Sequence, residues 1–287
     1  MTLPSPRRSG RLARVLGFCL LPVVLLGATI YWQGDRRVSS GPATGTVLNG
    51  GDLRNAGTDP SATERTRLRI ATFNIHSGIG PDGVYDLQRT ADCLDNFDLA
   101  GLNEVRGQNF SRDANQAEML GQVLDSRWLF APTERRWWRD DFGNGLLAKV
   151  PVRSWMRIPL PCSRDKGFRN VLLVTTELAG KPVRLLHTHL DRSHDREPQL
   201  QAVIGLFLAV AEPVILTGDL NTTADDPQLK ELLDRPGVVD AYGEHFPEEV
   251  PGRIDWIIAR GLRCTAAGRR EQGASDHPLV WAEFERE

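Results

Sequence analysis

Apolar residues recur after residue 67 in two spacings, which predict that strands and helices alternate along the chain. Short apolar or β-branched runs that end at Gly, Asn or Asp indicate strands, whereas apolar residues three and four positions apart indicate helices. The clearest helix covers 197–211 and leads into the apolar run Val214 to Thr217. Further helices are predicted at 86–97, 114–124 and 229–233, and further strands at 68–75, 99–102, 128–131, 145–149, 152–158, 170–178, 182–187, 253–259 and 279–284.

The order of these elements combines hairpins with strand-helix-strand units. The strands at 170–178 and 182–187 are separated only by Ala179-Gly180-Lys181, a connection short enough to join antiparallel neighbours. A mixture of both kinds of connection predicts an α/β fold in which two mixed sheets pack together with helices outside. No change of composition marks a boundary after residue 67, so 67–287 is expected to be one domain.

The N-terminal residues have the pattern of a membrane segment. Four Arg precede an uncharged run of 18 residues from Val15 to Trp32, which as a helix would be about 27 Å long against a hydrocarbon core of about 30 Å. The Arg residues and the Tyr31-Trp32 pair predict a single-pass anchor, residues 1–36, with the rest of the chain outside the cytoplasm, on the periplasmic or extracellular face. The alternative is a signal peptide that is cleaved near Ala28.

Residues 37–66 are rich in Gly, Ser, Thr, Asn and Asp and lack apolar periodicity, which predicts a flexible linker. The whole chain has a net charge of −2. Residues 1–40 hold six Arg and one Asp, so the remainder has 29 basic and 36 acidic residues and a net charge of −7. A body with this charge is a poor non-specific binder of polyanions.

The polar residues after the strand at 214–217 form the first candidate site. Asp219 and Asn221 are two positions apart, so on extended backbone their side chains point the same way. Gly218 before them permits the close approach of a ligand or another strand. A carboxylate and a carboxamide at the mouth of a sheet could hold a hydrated divalent metal and a phosphate. The alternative is a strand that ends in an Asx turn.

Other polar residues also lie in or beside apolar strand patterns, and together they favour a shared site. Asp255 is the most informative, because it lies inside the apolar run 253–258. A buried carboxylate needs a cationic or hydrogen-bonding partner to offset several kcal/mol of desolvation, and a histidine is the natural partner. The other residues of this kind are Asn74, Glu104, His189, Asp276 and His277.

Six short motifs, in this order, resemble those of the endonuclease/exonuclease/phosphatase superfamily over about residues 67–285. They are Thr72-Phe73-Asn74-Ile75-His76, Leu102-Asn103-Glu104-Val105, Thr188-His189-Leu190, Gly218-Asp219-Leu220-Asn221, Arg253-Ile254-Asp255 and Ser275-Asp276-His277. The resemblance implies a four-layer α/β sandwich with two central mixed β-sheets flanked by helices. It also implies that 67–287 is a catalytic domain for Mg²⁺-dependent hydrolysis of a phosphodiester or phosphomonoester.

The resemblance further implies a metal site in which Glu104 is the main carboxylate and Asn74 and Asp276 assist. All three residues offer oxygen ligands, which suits Mg²⁺, with Mn²⁺ as an alternative. The metal would neutralise charge that develops at the phosphorus centre and on the leaving oxygen.

The same resemblance implies roles for the other motif residues. Asp219 would orient or deprotonate the attacking water, and Asn221 would donate a hydrogen bond to a phosphate oxygen. His277, held by Asp255, would contact the phosphate or act as the base, and of the two candidate bases we favour Asp219. His189 would donate a second hydrogen bond to the phosphate or a proton to the leaving group.

Two further residues and one segment are candidates for substrate binding. Asn144 lies in a Gly-flanked segment that is expected to be a loop, and Arg169 lies just before the strand at 170–178. The segment Arg135-Arg136-Trp137-Trp138-Arg139 has three interpretations. In the first, its two Trp residues cap the core; in the second, they contact lipid headgroups; in the third, they stack on unpaired bases.

The sequence leaves three classes of phosphoester substrate open: a phospholipid, a nucleic acid and a small phosphorylated molecule. The predicted anchor favours a membrane-associated phosphodiester, and the net charge of −7 disfavours DNA. The alternatives are an extracytoplasmic nuclease that acts on DNA and a non-catalytic binding protein on the same fold. The expected partner, besides the substrate, is the lipid bilayer around the N-terminal helix, and no obligate protein partner is inferred.

Overall fold

The computed structural model describes residues 21–29, 37–38, 43–45, 65–109, 111–135, 141–164, 167–249 and 252–286. The strands are β1 (Arg37–Val38), β2 (Ala43–Gly45), β3 (Arg67–Asn74), β4 (Leu99–Arg106), β5 (Arg127–Arg135), β6 (Phe142–Ala148), β7 (Ser154–Pro159), β8 (Asn170–Leu178), β9 (Lys181–His189), β10 (Val214–Asp219), β11 (Val238–Asp240), β12 (Asp255–Arg260), β13 (Leu262–Arg270) and β14 (Leu279–Arg286). The α-helices after residue 65 are α1 (Leu87–Cys93), α2 (Gln116–Val123), α3 (Arg196–Ala209) and α4 (Pro227–Leu233).

The strands form two mixed sheets of seven strands each. The first sheet has the order β1-β5-β6-β4-β3-β14-β13, and the second has the order β11-β12-β10-β9-β8-β7-β2. Strands β1 and β2 have only two and three residues, and without them each sheet has six strands. The sheets pack face to face, with α1 and α2 outside the first and α3 and α4 outside the second. The predicted four-layer α/β sandwich is therefore confirmed.

Apolar cores fill the spaces between the four layers. Side chains from both sheets, such as Ile70 of β3 and Ile215 of β10, form the central core. Phe73 and Leu216, on the opposite faces of the same two strands, pack in the outer cores beneath the helices. Because successive side chains of a strand point to opposite faces, β3 and β10 are buried on both sides, which explains their nearly continuous apolar sequences.

Two strand-helix-strand units bring the predicted site residues to one edge of the sandwich. Strands β3 and β4 are parallel and connected through α1, and β9 and β10 are parallel and connected through α3. The carboxyl ends of these strands meet at one edge, where Asn74 contacts Asp219. Strands β12 and β14 run antiparallel to β10 and β3, so their amino ends lie at the same edge. Asp255 is consequently directly opposite Asp219 in the ladder of β10 and β12.

The predicted hairpin is confirmed, whereas two strands after residue 67 were not predicted. Strands β8 and β9 pair in antiparallel fashion, and Ala179 and Gly180 between them have φ values of 52° and 68°, as a two-residue hairpin turn requires. The unpredicted strands are β11 and β13. Strand β13 is rich in Ala, Gly and Arg, which have low strand propensity, and it is extended because it pairs along its length with β14.

Asn144 lies in a strand, so the expectation that its segment is a loop is wrong. It belongs to β6, which lies between β5 and β4. The neighbouring Gly143 allows β5 and β6 to approach each other closely, since a Cβ atom there would lie 2.3 Å from the carbonyl oxygen of Ala131. The glycines of this segment therefore indicate tight pairing and not flexibility.

The predicted anchor and linker lie mostly outside the described residues. Residues 21–29 are helical, and in the described ranges no helix combines the length and the apolar character needed to cross a membrane. Within the predicted linker, β1 pairs with β5 and β2 pairs with β7, so these residues are attached to one strand of each sheet. The boundaries of the anchor, linker and domain stay predictions. Residues 136–139 of the Arg-Trp segment also lie outside the described ranges.

Gly218 allows β9 and β10 to approach each other immediately before Asp219. Its φ is 141°, and a Cβ atom at this position would lie 1.8 Å from the carbonyl oxygen of Thr188. Both the backbone conformation and this contact exclude a side chain. The glycine is thus required for the position of the Asp219 carboxylate.

Gly218→Ala is expected to lower the free energy of unfolding by about 2 to 4 kcal/mol, because the added methyl group both overpacks the strand pair and strains the backbone. Urea denaturation measures this change. Gly205→Ala is the matched control: Gly205 lies in α3 with no atom within 4 Å of an added Cβ, so this variant should gain up to about 1 kcal/mol from helix propensity. Equal stability of the two variants would contradict the structure at Gly218.

Candidate active site

The Asp219 carboxylate lies at the centre of the site. Its Oδ1 accepts a hydrogen bond from the backbone N–H of Asn221 at 2.9 Å, and its Oδ2 accepts one from Nδ2 of Asn74 at 3.1 Å. The same Oδ2 lies 3.5 Å from Nε2 of His189 and 3.9 Å from Nε2 of His277. One carboxylate therefore brings together four of the residues that the sequence singles out.

Asp255 contacts a histidine, as the sequence predicts for a buried carboxylate. Its Oδ2 lies 2.8 Å from Nδ1 of His277. Burial alone would lower the pKa of His277, but the hydrogen bond and charge of Asp255, with the charges of Asp219 and Asp276, outweigh burial and raise this pKa to about 9. His277 is therefore an imidazolium at neutral pH.

Asp219 is a carboxylate that titrates close to neutral pH. Burial and then the negative charge of Asp255 raise its pKa, while the charge of His277 and the hydrogen bonds from Asn221 and Asn74 act in the opposite direction, and the resulting pKa is about 6. A base with this pKa is deprotonated at pH 7 and still accepts a proton readily. These are the properties that activation of a water molecule requires.

His189 is buried and neutral. Burial, and then the positive charges of Arg169 and His277, lower its pKa well below the ordinary value. Its Nδ1 is buried and has no hydrogen-bond partner within the described part of the chain. Because buried polar atoms are nearly always satisfied in folded proteins, this nitrogen marks a place for an additional group.

The predicted metal ligands surround the end of β3. Asn74 is the last residue of β3, and Glu104 follows Asn103, the residue that pairs with Asn74 in the ladder of β3 and β4. Glu104 lies at a bulge in β4 with φ of 59°, and no other described residue forms a hydrogen bond or ion pair with its carboxylate. The Asp276 side chain is 53% exposed, and its Oδ1 lies 3.5 Å from Nδ1 of His76. This set of oxygen donors, with an unpaired carboxylate on strained backbone, fits a hard divalent cation.

A second group of possible ligands consists of Asp219, Asp255 and His277, whose ligand atoms all lie within 4.8 Å of one another. The charge on His277 already compensates these two carboxylates, and a metal would have to displace that proton. The charge on His277 therefore disfavours a metal at this second group.

Asn221 and Asn144 both form hydrogen bonds within the protein. Nδ2 of Asn221 donates to the carbonyl oxygen of Leu190 at 3.0 Å, beside Asp219. Asn144 is only 1% exposed, and its side chain bonds with those of Asn103 and Asn170 at 3.0 Å each. Asn221 thus lies in the site, whereas Asn144 lies in a buried layer beneath it.

Arg169 places a guanidinium among the carboxylates of the site. Burial lowers its pKa from the ordinary value, and the carboxylates of Asp191 and Glu134, followed by those of Glu104 and Asp219, act in the opposite direction. Its guanidinium carbon lies 5.8 Å from the centre of the Phe142 ring, and its Nε is buried with no hydrogen-bond partner in the described ranges. A cation with unused donor capacity at this position is suited to a phosphate.

Asn103 was not predicted as a functional residue, yet it connects β4, which carries Glu104, to Asp219 of β10. Its Oδ1 accepts from the backbone N–H of Asp219 at 3.1 Å, and its Nδ2 lies 3.0 Å from the carbonyl oxygen of Thr188. Because Asn103 also precedes Glu104, it fixes the two parts of the site relative to each other. The signal was available: a polar residue lies inside the apolar pattern of β4, as Asp255 does in its own strand.

His187 supports Asn103 from the second sheet. Its Nε2 lies 3.0 Å from Nδ2 of Asn103 and 3.1 Å from the carbonyl oxygen of Leu102, and its Nδ1 lies 3.1 Å from Oγ1 of Thr217. Complete burial lowers its pKa to about 4, so the ring is neutral. Gly101 provides the space, since a Cβ there would lie 2.2 Å from Nδ1 of His187.

Both the sequence and the fold match known proteins. A model of the Endonuclease/Exonuclease/phosphatase family matches residues 71–277, a range that contains every site residue from Asn74 to His277. A solved endonuclease/exonuclease/phosphatase from Beutenbergia cavernae DSM 12333 is 22% identical with a TM-score of 0.63, over 77% of this chain and 72% of that chain. No curated protein matches the sequence.

Two eukaryotic structures are also similar in fold. D. rerio TDP2 complexed with a single-strand DNA product is 17% identical with a TM-score of 0.59, over 77% of this chain and 99% of that chain. The human Nocturnin catalytic domain with a bound sulfate anion is 16% identical with a TM-score of 0.57, over 77% of this chain and 94% of that chain. At these identities the similarity shows the fold.

Asp255→Asn is expected to lower the pKa of His277 from about 9 to its ordinary value of 6.5 or below, because the negative charge is removed while an oxygen remains to accept from Nδ1. NMR titration of the imidazole C–H signals in the metal-free protein measures this pKa. The exposed His194 serves as the internal reference. If the pKa of His277 is unchanged in this variant, Asp255 is not the cause of its raised value.

The same substitution should change the pH dependence of stability. The pKa of His277 is raised in the folded protein, so its stabilisation is complete below about pH 6.5 and is lost as the pH rises to about 9. The free energy of unfolding of the wild type should therefore decrease between pH 6.5 and 9, whereas that of Asp255→Asn should not show this decrease.

Proposed function

The chain belongs to the Endonuclease/Exonuclease/phosphatase family, and on this basis we propose that it is a metal-dependent phosphoesterase. It hydrolyses a phosphodiester or phosphomonoester with an activated water. The observation that carries the proposal is the position of the Asp219 carboxylate, whose Oδ2 lies 3.5 Å from Nε2 of the neutral His189 and 3.9 Å from Nε2 of the cationic His277. The pKa of this carboxylate is about 6. A carboxylate that can act as a base, with a neutral imidazole and an imidazolium beside one of its oxygens, is suited to the attack of water on a phosphoester.

Asp219 is the general base in this proposal. Its carboxylate takes a proton from the attacking water while the water oxygen bonds to phosphorus, and the bond between phosphorus and the leaving ester oxygen breaks. The hydrogen bonds from Asn74 and the backbone of Asn221 hold the carboxylate in one orientation. This fixed orientation reduces the reorganisation needed during the reaction.

His277, His189 and Arg169 bind the phosphate. The His277 imidazolium, oriented by Asp255, donates from Nε2 to a phosphate oxygen. The neutral His189 donates a hydrogen bond to another phosphate oxygen, and the leaving oxygen takes its proton from solvent once the ester bond has broken. Arg169 adds a second positive charge close to Asp219. Together these groups stabilise the negative charge of the transition state.

Glu104, with Asn74 and Asp276, would hold the divalent metal, Mg²⁺ or Mn²⁺. When bound, the ion supplies positive charge to a phosphate oxygen and to the leaving oxygen. The Glu104 carboxylate suits this role because no described residue forms a hydrogen bond or ion pair with it, although the charge of Arg169 acts on it from a distance.

Nucleic acid is the substrate class that a structural neighbour supports, since D. rerio TDP2 is solved with a single-strand DNA product. An extracytoplasmic nuclease therefore remains a candidate function for this chain. The net charge of −7 after residue 40 opposes the binding of a long polyanion and favours a short or terminal phosphoester.

We also propose that the N-terminal residues anchor the chain in a membrane, with the catalytic domain outside the cytoplasm. The support is the uncharged run from Val15 to Trp32 behind four Arg. In addition, apolar side chains of the helix at 21–29 are exposed, with Leu21 at 60% and Val23 at 65%. Lipid would cover these side chains in the anchored protein.

Glu104→Ala and His277→Ala are each expected to lower the rate of bis-p-nitrophenyl phosphate hydrolysis by about 10²- to 10⁴-fold, since one removes the metal carboxylate and the other the phosphate-binding cation. The release of p-nitrophenolate with Mg²⁺, and its loss with chelator, measures the activity. Glu231→Ala and His194→Ala, at exposed positions, are the matched controls. Activity that both site variants retain would refute this assignment of the site.

The full chain is expected to sediment with membranes and to resist extraction by alkaline carbonate, because its anchor lies in the hydrocarbon core. Immunoblotting of the two fractions measures this behaviour. Deletion of residues 1–36 is the matched control and should give an extractable protein. A soluble species that begins after Ala28 would instead show that the segment is a cleaved signal peptide.

A further inference from the structure

Three asparagine side chains form a row between the two sheets, directly beneath the site. Asn103 of β4 and Asn144 of β6 belong to the first sheet, and Asn170 of β8 belongs to the second. They are 0%, 1% and 2% exposed. Further from this edge, the space between the sheets is filled by apolar side chains such as Ile70 and Ile215. We call these three residues the amide row.

The hydrogen bonds of the amide row all run in one direction. The backbone N–H of Asp219 donates to Oδ1 of Asn103 at 3.1 Å, and Nδ2 of Asn103 donates to Oδ1 of Asn144 at 3.0 Å. Nδ2 of Asn144 donates to Oδ1 of Asn170 at 3.0 Å, and Nδ2 of Asn170 donates to the carbonyl oxygen of Pro132 at 3.2 Å. The row therefore connects the backbone of Asp219 to that of β5.

The two ends of the row give each amide a single orientation. The N–H of Asp219 can only donate a hydrogen bond, and the carbonyl oxygen of Pro132 can only accept one. Rotating any one of the three amides by half a turn would place two donors or two acceptors against each other. The row is consequently a spacer of fixed length and direction between the sheets.

Stability alone does not explain a polar row at this place. Replacing hydrogen-bonded partners by apolar groups of the same shape is often nearly neutral for stability, and apolar side chains fill the rest of the space between the sheets. A satisfied row of amides adds direction, because a hydrogen bond restricts both the distance and the angle between its partners. This property matters where two sheets must present their side chains in register.

The end of the row holds the backbone next to Arg169. The ladder between β8 and β9 ends at Val171 and Thr188, so Asn170 lies one residue beyond it. There the carbonyl oxygen of Asn170 accepts from Oγ1 of Thr188 at 2.9 Å and from Nδ2 of Asn144 at 3.3 Å. On the side of β9, the start of β8 is thus held by side chains instead of by a neighbouring strand.

The strand that carries Asn144 also contacts the guanidinium of Arg169. Phe142 and Asn144 are two positions apart in β6, so their side chains lie on the same face. The centre of the Phe142 ring lies 5.8 Å from the guanidinium carbon of Arg169 and 6.5 Å from the centre of the His189 ring. One face of β6 therefore contacts both phosphate-binding groups that the second sheet supplies at this side.

We propose that Asn144 is a positioning residue for the phosphate site. It is too deeply buried to contact a substrate. As the central member of the amide row, it fixes the start of β8 relative to Asp219 and so holds the Arg169 guanidinium where the phosphate binds. This inference rests on the proposed function, which assigns phosphate binding to Arg169.

The binding of inorganic phosphate tests this role without turnover. Calorimetry in the presence of Mg²⁺ measures its affinity for the full chain and its variants. Arg169→Ala is expected to weaken phosphate binding about 10- to 100-fold, as the loss of a charge-assisted hydrogen bond does. Asn144→Ala is expected to weaken it about 3- to 10-fold, because Arg169 remains but must be ordered when the phosphate binds.

The affinity for Mg²⁺ alone separates this role from general damage to the site. In Asn144→Ala, Asn103 keeps its hydrogen bonds with the N–H of Asp219 and the carbonyl oxygen of Thr188. Glu104, which follows Asn103, should therefore stay in place. Calorimetry with Mg²⁺ and no phosphate should give the same affinity for this variant as for the wild type.

A double-mutant cycle shows whether Asn144 acts through Arg169. With Arg169→Ala in place, Asn144→Ala should cause no further loss of phosphate affinity. Thr176→Ala is the matched control for stability, because Thr176 is 1% exposed, lies in β8 as Asn170 does, and donates to the carbonyl oxygen of Pro151 at 2.8 Å. It should lower the melting temperature as Asn144→Ala does and leave the phosphate affinity unchanged.

Asn144→Thr carries the test if Asn144→Ala does not fold, because threonine is close to asparagine in volume and suits a strand. Its single hydroxyl replaces at most one of the two amide bonds, so phosphate affinity should again fall while Mg²⁺ affinity stays unchanged. The inference is overturned if the folded Asn144 variants bind phosphate as the wild type does, or if Thr176→Ala weakens this binding equally. A loss from Asn144→Ala that persists beside Arg169→Ala would overturn it as well.

The failure of this inference and that of the proposed function are distinguishable. If the wild type binds phosphate and hydrolyses bis-p-nitrophenyl phosphate while the Asn144 variants behave as the wild type does, only the inference fails. An Arg169→Ala variant with unchanged phosphate affinity would overturn both the inference and the role of Arg169. If the wild type neither binds phosphate nor hydrolyses the ester, the proposed function fails together with the inference.

Discussion

The structure of the site depends on holding two carboxyl groups side by side in the protein interior, where burial raises the pKa of both. Asp219 and Asp255 are opposite each other in one strand ladder and are 1% and 3% exposed. Removing two like charges from water costs several kcal/mol for each charge, unless cations and hydrogen bonds compensate it. His277 supplies the cation, and Asn74 and the Asn221 backbone supply the hydrogen bonds. The incomplete compensation leaves Asp219 with a pKa of about 6, which makes it chemically useful.

The fold makes this arrangement possible because the strand ends of both sheets that carry the site residues lie at one edge of the sandwich. Asp219 and His189 belong to the second sheet, whereas Asn74 and Glu104 belong to the first, so their relative position depends on the packing of the two sheets. Asn103 spans the gap to the backbone of Asp219, and Gly101 lets the ring of His187 reach it. Close packing of this kind has few alternative arrangements. The side chains of the site are therefore oriented by the packed interior beneath them.

The proposed preference for a small or terminal phosphoester follows from the charges around the site. The cations near the phosphate position are His277 and Arg169, and both lie among carboxylates that limit the local positive charge. Selectivity would then come from the group attached to phosphorus, because the phosphate itself meets the same polar groups in every substrate.

The sequence by itself determined the four-layer architecture, most elements and the polar residues of the site. Apolar periodicity is local, so it identifies strands such as β3 and β10. A carboxylate within an apolar run, such as Asp255, indicates that a cationic or hydrogen-bonding partner lies beside it. Only the tertiary structure decided that β13 is a strand, that Asn144 is buried in β6, and that Asn103 connects Glu104 to Asp219. These features arise from pairing between residues far apart in the chain. The pKa values near 6 and 9 have the same origin, because burial and neighbouring charges exist only after the sheets have packed.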